Sequence, residues 1–367
     1  MLCVIFLTMN LRLAETFMGK NGSPRILITR LGAIGDTILT LPVLCALRRH
    51  FPHAFLAWLV EPAAAPMVQG HACVDQVIVA RRRWLKSLTE IGRLRRELRA
   101  LEFDLVIDPQ SLTKSALAGW LSGVPRRIGF ASPQGREISL WLNNEFVNPV
   151  REHLVDRQLE LLTPLGITQP IVEFHLPASP TAPEKILQFT REAHLGRGFS
   201  VVNPGAGWAS RLWVLERFGK LARHLGETWN LPTVVTWAGE RERRMAEKIL
   251  TSSGGHVILA PSTQLLELAE LVRQAEIFIG CDSGPMHMAV AVNTTCVALH
   301  GTTRWQHSGP YGNQHLPVQD YFQAGTSRQR RTADNLAMQA ISVESVCRAC
   351  DQILERKRKR NGLRCAA

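Results

Sequence analysis

Short apolar runs alternate with helical patterns along almost the whole chain, and this alternation restricts the possible folds more than any other feature. In the first half, the apolar runs lie at 25–30, 54–62, 75–80, 104–110 and 126–130. Amphipathic stretches such as 37–51 lie between most of them. Continuously apolar strands that alternate with helices are typical of a doubly wound parallel sheet, so we predict an α/β fold.

The alternation stops near residue 169 and then begins again. Proline and other helix-breaking residues are frequent at 169–190, and further apolar runs follow at 199–207, 232–239, 256–261, 276–283 and 295–301. We therefore predict two Rossmann-like domains, 24–172 and 196–340, joined by a linker at 173–195. Two such domains would face each other across a cleft, with ligands at the carboxyl ends of the strands.

The two ends of the chain carry separate predictions. Residues 1–23 begin with an apolar stretch but lack a basic region before it and a signal-peptide exit after it, so we interpret them as a disordered or mis-started extension. Residues 341–367 are predicted to form a C-terminal helix with a basic tail, "RKRKR" at 356–360. That tail is either a solvated helix end or a contact with an acidic membrane surface.

Charge and cysteine content limit the partners and the compartment. Lys and Arg number 43 against 31 Asp and Glu, a net charge of +12 that attracts nucleic acid, anionic lipid or phosphorylated small molecules. The eight cysteines show no disulfide framework, which favours a reducing cytoplasm. Cys347 and Cys350 form an isolated C-x-x-C without a second ligand pair, so no metal site is predicted.

A glycine loop, "RLGAIGD" at 30–36, follows the first apolar run and opens a helix. Gly32 and Gly35 permit a tight turn and a close approach of the backbone to a ligand. Their G-x-x-G spacing differs from the G-x-G-x-x-G of dinucleotide-binding loops, which disfavours a nicotinamide enzyme. Asp36 is either a helix N-cap or a general base. The chain has no D-x-D pair, which argues against a carboxylate-held metal.

Charged residues follow two apolar runs of the second half. Arg211 comes after "NPGAG" at 203–207, where it can pair with a diphosphate in a forked geometry or remain a solvated helix-start arginine. Glu242, together with Glu240, follows the run at 232–239. A carboxylate there can accept hydrogen bonds from ribose hydroxyls, or it can favour the helix N-terminus through the helix dipole.

The stretch "CDSGPMHMAV" at 281–290 follows the run "IFIG" and begins a helix with proline in its first turn. Backbone N–H groups at such a helix start are unpaired and bind phosphate, and His287 is placed to donate a further hydrogen bond. The alternative interpretation is a plain strand-to-helix turn with a capping aspartate, Asp282, and a buried histidine.

Taken together, these motifs resemble the heptosyltransferases of lipopolysaccharide inner-core synthesis in glycosyltransferase family 9. The resemblance covers roughly residues 25–355 and rests on "RLGAIGDTILTLPVLCALRRHFP", "DLVIDPQSLTKSALAGWLSGVPRRIGF", "NPGAGWASRLWVLERFGKLA" and "CDSGPMHMAVAVNTTCVALHGTT". It implies a GT-B fold and an inverting transfer from ADP-L-glycero-D-manno-heptose to Kdo-lipid A or heptosyl-Kdo. It also implies that no metal or other cofactor is required.

The resemblance further implies roles for particular residues. Asp36 corresponds to the family's catalytic aspartate, and Arg211 stands where the family usually has lysine. The residues that correspond to donor-binding positions are Arg211, Glu242, Asp282, Ser283, Gly284 and His287. The candidate acceptor-binding residues are Gly35, Lys114, Arg126 and Arg127.

The sequence therefore predicts a cytoplasmic enzyme, peripheral to the inner membrane, whose partners are ADP-heptose and an anionic lipid-linked saccharide rather than nucleic acid. Two alternatives remain open. One is a GT-B transferase that uses another nucleotide sugar in cell-envelope glycan synthesis. The other is a nucleotide-sugar-binding protein without turnover, against which the intact Asp36 argues.

Overall fold

The computed structural model describes residues 22–365 of the chain, with side chains to residue 360. The predicted extension at 1–23 lies almost entirely outside these residues. Within the described range, twelve strands form two separate sheets of six. Contacts divide the chain into two compact units between Ala178 and Ser179, and each unit is described by itself.

The first unit is a parallel sheet with helices between its strands. The strands are β1 Arg25–Thr29, β2 Phe55–Val60, β3 Gln76–Val79, β4 Leu105–Asp108, β5 Arg126–Phe130 and β6 Glu145–Val147. The helices are α1 Ile34–His50, α2 Leu88–Ala100, α3 Thr113–Leu121, α4 Ser139–Leu142 and α5 Leu154–Glu160, with short 3₁₀ turns at Ala65–Met67, Trp84–Lys86 and Thr163–Leu165. The strand order is β3-β2-β1-β4-β5-β6, and every neighbouring pair is parallel.

The second unit repeats this arrangement. Its strands are β7 Ser200–Asn203, β8 Thr233–Val235, β9 Val257–Leu259, β10 Ile277–Cys281, β11 Cys296–Leu299 and β12 Leu316–Val318. Its helices are α6 Ala182–Glu192, α7 Leu215–Trp229, α8 Gly239–Ser252, α9 Leu265–Gln274, α10 Gly284–Ala291, α11 Trp305–Ser308, α12 Ser327–Thr332, α13 Leu336–Ala340 and α14 Val343–Cys365, with a 3₁₀ turn at Ala209–Arg211. The order β12-β11-β10-β7-β8-β9 equals that of the first unit when both are counted from their own first strand.

The strands form where the sequence is apolar without interruption, because helices cover both faces of each sheet. All five residues of β10 are buried, as are four of the five residues of β1. Such burial on both faces is characteristic of parallel sheets. The strand order reverses direction between β1 and β4 and again between β7 and β10, and α/β sheets bind ligands at these switch points. The predicted α/β class is confirmed.

Some local features differ from the sequence-based expectation. The range predicted as a linker, 173–195, contains the helix α6, whose Ile186 is fully buried. Its proline lies in the first turn, where the missing N–H costs no helical hydrogen bond. Lys185 of this helix pairs with Glu267 of α9 at 2.7 Å, so the helix is part of the second unit.

The basic stretch 81–99 is not one helix. The helix α2 begins at Leu88 because Ser87 Oγ accepts a hydrogen bond from the Glu90 N–H at 3.3 Å. Leu88 is 87% exposed, since it lies in the first turn after this cap. In the described part of the chain, no helix combines the length and the apolar character needed to cross a membrane.

Candidate functional site

Asp36 lies in the first turn of α1, directly after the glycine loop that follows β1. Its Oδ2 accepts a hydrogen bond from the Ala33 N–H at 3.2 Å, and its Oδ1 lies 2.9 Å from Nη2 of Arg30. The Asp36 side chain is 40% exposed, whereas the Arg30 side chain is only 9% exposed. The carboxylate is thus held by a buried cation while one side remains open to a ligand, as a general base requires.

Arg30 is fixed by three strands at the carboxyl edge of the first sheet. Its main-chain carbonyl accepts a hydrogen bond from Trp58 Nε1 of β2 at 3.0 Å. Its Nη1 donates to the carbonyl of Pro109, just after β4, at 3.3 Å. The position of Asp36 is therefore set by the sheet as well as by its own loop. Arg30 was not predicted as a site residue, although it ends the apolar run at 25–30 and precedes the candidate base Asp36 by six residues.

Two of the four predicted acceptor residues share this edge with Asp36. Gly35 is buried in the first turn of α1, next to Asp36 in the chain. Lys114 lies in the first turn of α3, after β4, and its Nζ is 3.0 Å from Oε1 of Glu61, which follows β2. A basic group paired with a partly exposed carboxylate at this edge can exchange that partner for an anionic ligand.

The structure does not bring Arg126 and Arg127 to this edge. They are the first residues of β5 and stand opposite Leu105 and Val106 in a parallel ladder, at the amino end of the strands. Arg126 pairs with Glu145 at 2.6 Å, and Arg127 donates to the Leu142 carbonyl at 2.6 Å. Strand direction separates them from Asp36, so they are not retained among the acceptor-binding residues.

In the second unit, four neighbouring strands end at the same edge of the sheet. The strands β11, β10, β7 and β8 are adjacent in that order. The segments that follow them therefore meet, and they contain all the predicted donor-binding residues.

Arg211 connects three of these segments. It ends the 3₁₀ turn after β7, and its Nη1 lies 3.3 Å both from Oδ2 and from the carbonyl oxygen of Asp282, after β10. Its Nη2 donates to Thr303 Oγ1, after β11, at 2.8 Å. Its guanidinium also stacks over the Trp208 ring, 3.9 Å from the centroid. The forked cation is thus pre-positioned, with its side chain 19% exposed.

The electrostatics around Asp282 favour its charged form. Burial alone would raise the pKa of Asp282, but the basic groups His300, Arg211 and His287 and a hydrogen bond with Thr303 lower the pKa below its usual range. Burial lowers the pKa of His300, and the ion pair of Asp282 is the one with Arg211 Nη1 at 3.3 Å. Asp282 therefore orients Arg211 as an ionised carboxylate.

The start of α10 carries the features of an anion site. Ser283 is its N-cap residue but makes no side-chain capping hydrogen bond, and its buried Oγ has no hydrogen-bond partner among the described residues. Gly284 is the first helical residue, and His287, one turn later, is 6% exposed. Because no side chain caps these N–H groups, the positive end of the helix dipole can act on a bound anion.

Glu242 borders the same edge from the β8 side. Its Oε2 accepts a hydrogen bond from the Ala238 N–H at 2.9 Å, and its carboxylate lies against Gly205 of the "NPGAG" loop. Glu240, the other carboxylate considered there, instead pairs with Arg244 at 3.1 Å on the exposed side of α8. The structure therefore selects Glu242 as the residue that faces the β7 loop.

Comparison with known proteins places this architecture in a family. Residues 91–336 match the model described as "Glycosyltransferase family 9 (heptosyltransferase)". The chain belongs to glycosyltransferase family 9. This family 9 chain is 27% identical over 308 residues to lipopolysaccharide heptosyltransferase 1 of Pseudomonas aeruginosa, a match that covers 81% of the chain and 84% of that relative. It is 23% identical over 330 residues to lipopolysaccharide heptosyltransferase 3 of Escherichia coli, a match that covers 87% of this chain and 96% of that relative.

A solved structure supports the fold of this family 9 chain. The Escherichia coli heptosyltransferase WaaC with ADP superposes with a TM-score of 0.68 at 22% identity and covers 90% of this chain and 98% of that one. The predicted GT-B fold class and the predicted transferase activity are thus confirmed: the chain is a glycosyltransferase enzyme.

Several residues around Arg211 of this glycosyltransferase were not predicted as site residues. Trp208, Thr303 and the fully buried His300 all contact or face the Arg211–Asp282 pair. The stretch "HGTTRWQHSGPYG" at 300–312 was a usable signal for Thr303 and His300, because it follows a buried strand in the same way as the other loops.

Proposed function

We propose that this family 9 enzyme transfers heptose from ADP-L-glycero-D-manno-heptose to the inner core of lipopolysaccharide, with inversion at the anomeric carbon. The observation that carries the proposal is the location of Arg211, hydrogen-bonded between the segments after β10 and β11 and next to the uncapped start of α10. This arrangement fits a nucleoside diphosphate. The family description and the names of the relatives support heptose as the sugar.

In the proposed reaction, the second unit stabilises the leaving group. The bond between the anomeric carbon and the diphosphate oxygen breaks, and ADP departs with the electron pair. Arg211 and the backbone N–H groups at Ser283 and Gly284 meet this growing negative charge, and His287 donates a further hydrogen bond. Asp282 holds Arg211 in place, and Glu242 accepts hydrogen bonds from the adenosine ribose.

Asp36 is proposed as the general base in the first unit. It removes the proton from the acceptor hydroxyl while that oxygen forms the new bond to the anomeric carbon. A single displacement of this kind inverts the configuration. The open side of the Asp36 carboxylate, opposite its contact with Arg30, supports this role.

The acceptor is proposed to be Kdo-lipid A or heptosyl-Kdo, with Gly35 and Lys114 close to its sugar. The acceptor's anionic groups fit the net charge of +12, and the basic tail at 356–360 fits a peripheral contact with the cytoplasmic face of the inner membrane. The proposed partners are thus a saccharide acceptor and a membrane surface, and they do not include a nucleic acid. The relatives carry two different names, heptosyltransferase 1 and heptosyltransferase 3, so the test compares both acceptors.

A ligand panel tests the donor. Thermal unfolding of the full chain is measured with ADP-heptose and with UDP-, GDP- and dTDP-sugars, because a ligand that binds the folded state raises its unfolding temperature. We expect the ADP-sugar to give the largest shift. A larger shift with another nucleotide would favour the alternative, a GT-B transferase of a different nucleotide sugar.

A base variant tests the reaction. We expect Asp36→Asn to lower heptose transfer to Kdo-lipid A or heptosyl-Kdo by about 10²–10⁴-fold, the usual contribution of a general base. ADP affinity, measured by calorimetry, should stay at the wild-type value and serves as the folding control. Transfer at the wild-type rate would disprove the assignment of Asp36, and wild-type protein that binds ADP-heptose without transfer would favour a binding protein.

A further inference from the structure

The segment after β12 brings additional arginines to the edge of the second sheet. In α12, the carbonyl oxygen of Arg330 accepts a hydrogen bond from Ser210 Oγ, beside Arg211, at 2.6 Å. Arg330 Nη1 donates to the carbonyl of Thr302, after β11, at 3.0 Å. The guanidinium of Arg331 lies 5.1 Å from the centroid of the Trp208 ring. The short helix α12 is thus tied to the segments that carry the proposed diphosphate site.

The three arginines Arg211, Arg330 and Arg331 carry more positive charge than the carboxylate of Asp282 can neutralise. Arg211 and Arg331 lie over one ring, Trp208, and Arg330 is close enough to Arg211 and Asp282 to interact electrostatically with both. Within the described part of the chain, the ion pair of Arg211 with Asp282 is the only salt bridge that these three arginines make. Like charges at a partly buried location repel one another, and an anion would remove that repulsion.

Several buried polar atoms of the group have no hydrogen-bond partner among the described residues. They are Nε of Arg211, Nε of Arg330, Oγ of Ser283 and Oγ1 of Thr302. Thr302 is fully buried. Buried polar atoms are nearly always satisfied in folded proteins, so a cluster of exceptions beside unbalanced positive charge indicates a polar ligand.

We propose that Arg330 is a further donor-binding residue, which contacts the diphosphate together with Arg211. This inference rests on the proposed function, because it names a second cation for the same leaving group. Two guanidinium forks can engage the two phosphate groups separately, which a single fork cannot do. No sequence motif connects the two residues; they meet because Ser210 and Thr302 hold α12 in place.

The test compares binding of three probes by isothermal titration calorimetry of the full chain. The probes are ADP, adenosine and inorganic pyrophosphate, and the proteins are wild type, Arg330→Gln, Arg330→Lys and the control Arg328→Gln. Arg328 is exposed on the same helix. We expect Arg330→Gln to weaken ADP and pyrophosphate about tenfold or more, as the loss of a charged hydrogen bond predicts, and to leave adenosine unchanged. Arg330→Lys should lose less, and Arg328→Gln should match wild type.

The other possible outcomes would overturn the role of Arg330, the proposed function, or both. Wild-type affinity of Arg330→Gln for both anions would overturn it. An equal loss for adenosine would also overturn it, because Arg330 would then only support the Thr302 segment. If wild type binds pyrophosphate but not ADP, the proposal that the donor is an ADP-sugar is wrong. The pyrophosphate affinities of wild type and Arg330→Gln then still decide the role of Arg330. If wild type binds neither ADP nor pyrophosphate, both the proposed function and the role of Arg330 are wrong.

Discussion

The carboxylate of Glu242 occupies the space next to Gly205: a β-carbon built on Gly205 would lie 2.4 Å from Oε1 of Glu242. The two residues come from different segments, after β8 and after β7. The absence of a side chain at Gly205 therefore lets the proposed ribose-binding carboxylate approach the "NPGAG" loop.

We expect Gly205→Ala to displace the Glu242 side chain and to weaken adenosine and ADP binding about three- to tenfold. Glu242→Ala should cause a similar loss, since both changes remove the same ribose hydrogen bond, worth roughly 0.6–1.4 kcal/mol. Calorimetric titration with adenosine measures the effect. The matched control is Gly207→Ala, because a β-carbon there meets no atom within 4 Å. An unchanged adenosine affinity in Gly205→Ala would contradict the role of Glu242.

The contact between Arg30 and Asp36 predicts a separate effect on turnover. Arg30→Gln removes the cation 2.9 Å from Asp36 Oδ1, so the carboxylate should lose its fixed orientation. We expect kcat to fall about 10- to 100-fold with little change in ADP affinity, because misplacement by a fraction of an ångström is costly for a catalytic group. Arg30→Lys should recover part of the rate. An equal fall in ADP affinity would show a general folding defect instead.

The ring of Trp208 should contribute to donor binding through the arginines that stack on it. Cation–π contacts are worth roughly 0.5–2 kcal/mol, so we expect Trp208→Ala to weaken ADP binding about 3- to 30-fold. Trp208→Phe should retain most of the affinity, because it keeps an aromatic face. Trp141, which is 88% exposed in the first unit, provides a control, and Trp141→Ala should bind ADP as wild type does. The titration is repeated with pyrophosphate to localise the loss to the phosphates.

Buried His315 predicts that stability falls in mild acid. Burial lowers its pKa from 6.5 to about 4, and its Nδ1 accepts a hydrogen bond from the Cys296 N–H at 3.2 Å. Below pH 6.5 the unfolded chain takes up a proton that the folded chain takes up only near pH 4, so stability is full above pH 6.5 and declines as the pH falls toward 4. At pH 5 the titration of His315 lowers the free energy of unfolding by about 2 kcal/mol relative to its value above pH 6.5.

The variant His315→Asn keeps an acceptor for the Cys296 N–H but does not titrate. We expect its free energy of unfolding to fall less than that of wild type between pH 7.5 and pH 5, by about 2 kcal/mol, in urea titrations. His53, which is exposed, gives the control His53→Asn with wild-type pH dependence. Equal pH dependence of His315→Asn and wild type would refute the prediction.

The fold could be predicted from the sequence because the information is local. Each buried strand of a parallel sheet is an apolar run, and ten such runs separated by helical patterns indicate the two sheets directly. The edge strands β6 and β12 could not be found in this way. They have three residues each and are only partly buried, so they carry no distinct apolar pattern.

The site was predictable only where a residue follows its strand closely in the chain. Asp36, Arg211 and Asp282 lie within eight residues of a carboxyl strand end, and the structure places them at the sheet edges. Arg126 and Arg127 were selected from a motif, although they open the predicted run at 126–130 and therefore lie at the amino end of β5. Arg330 depends on tertiary contacts that no local pattern encodes.

The two sheets share one strand order, and this has a consequence for how such an enzyme diversifies. In each sheet, segments that carry proposed site residues leave the strands on either side of the point where the order reverses, after β1 and β4 in one and after β7 and β10 in the other, and further such segments follow β8 and β11. The strands themselves carry the core, so these segments can change in length and composition without altering the sheet. In the proposed function, recognition of the nucleotide and recognition of the acceptor would thereby belong to separate parts of the chain that can evolve independently.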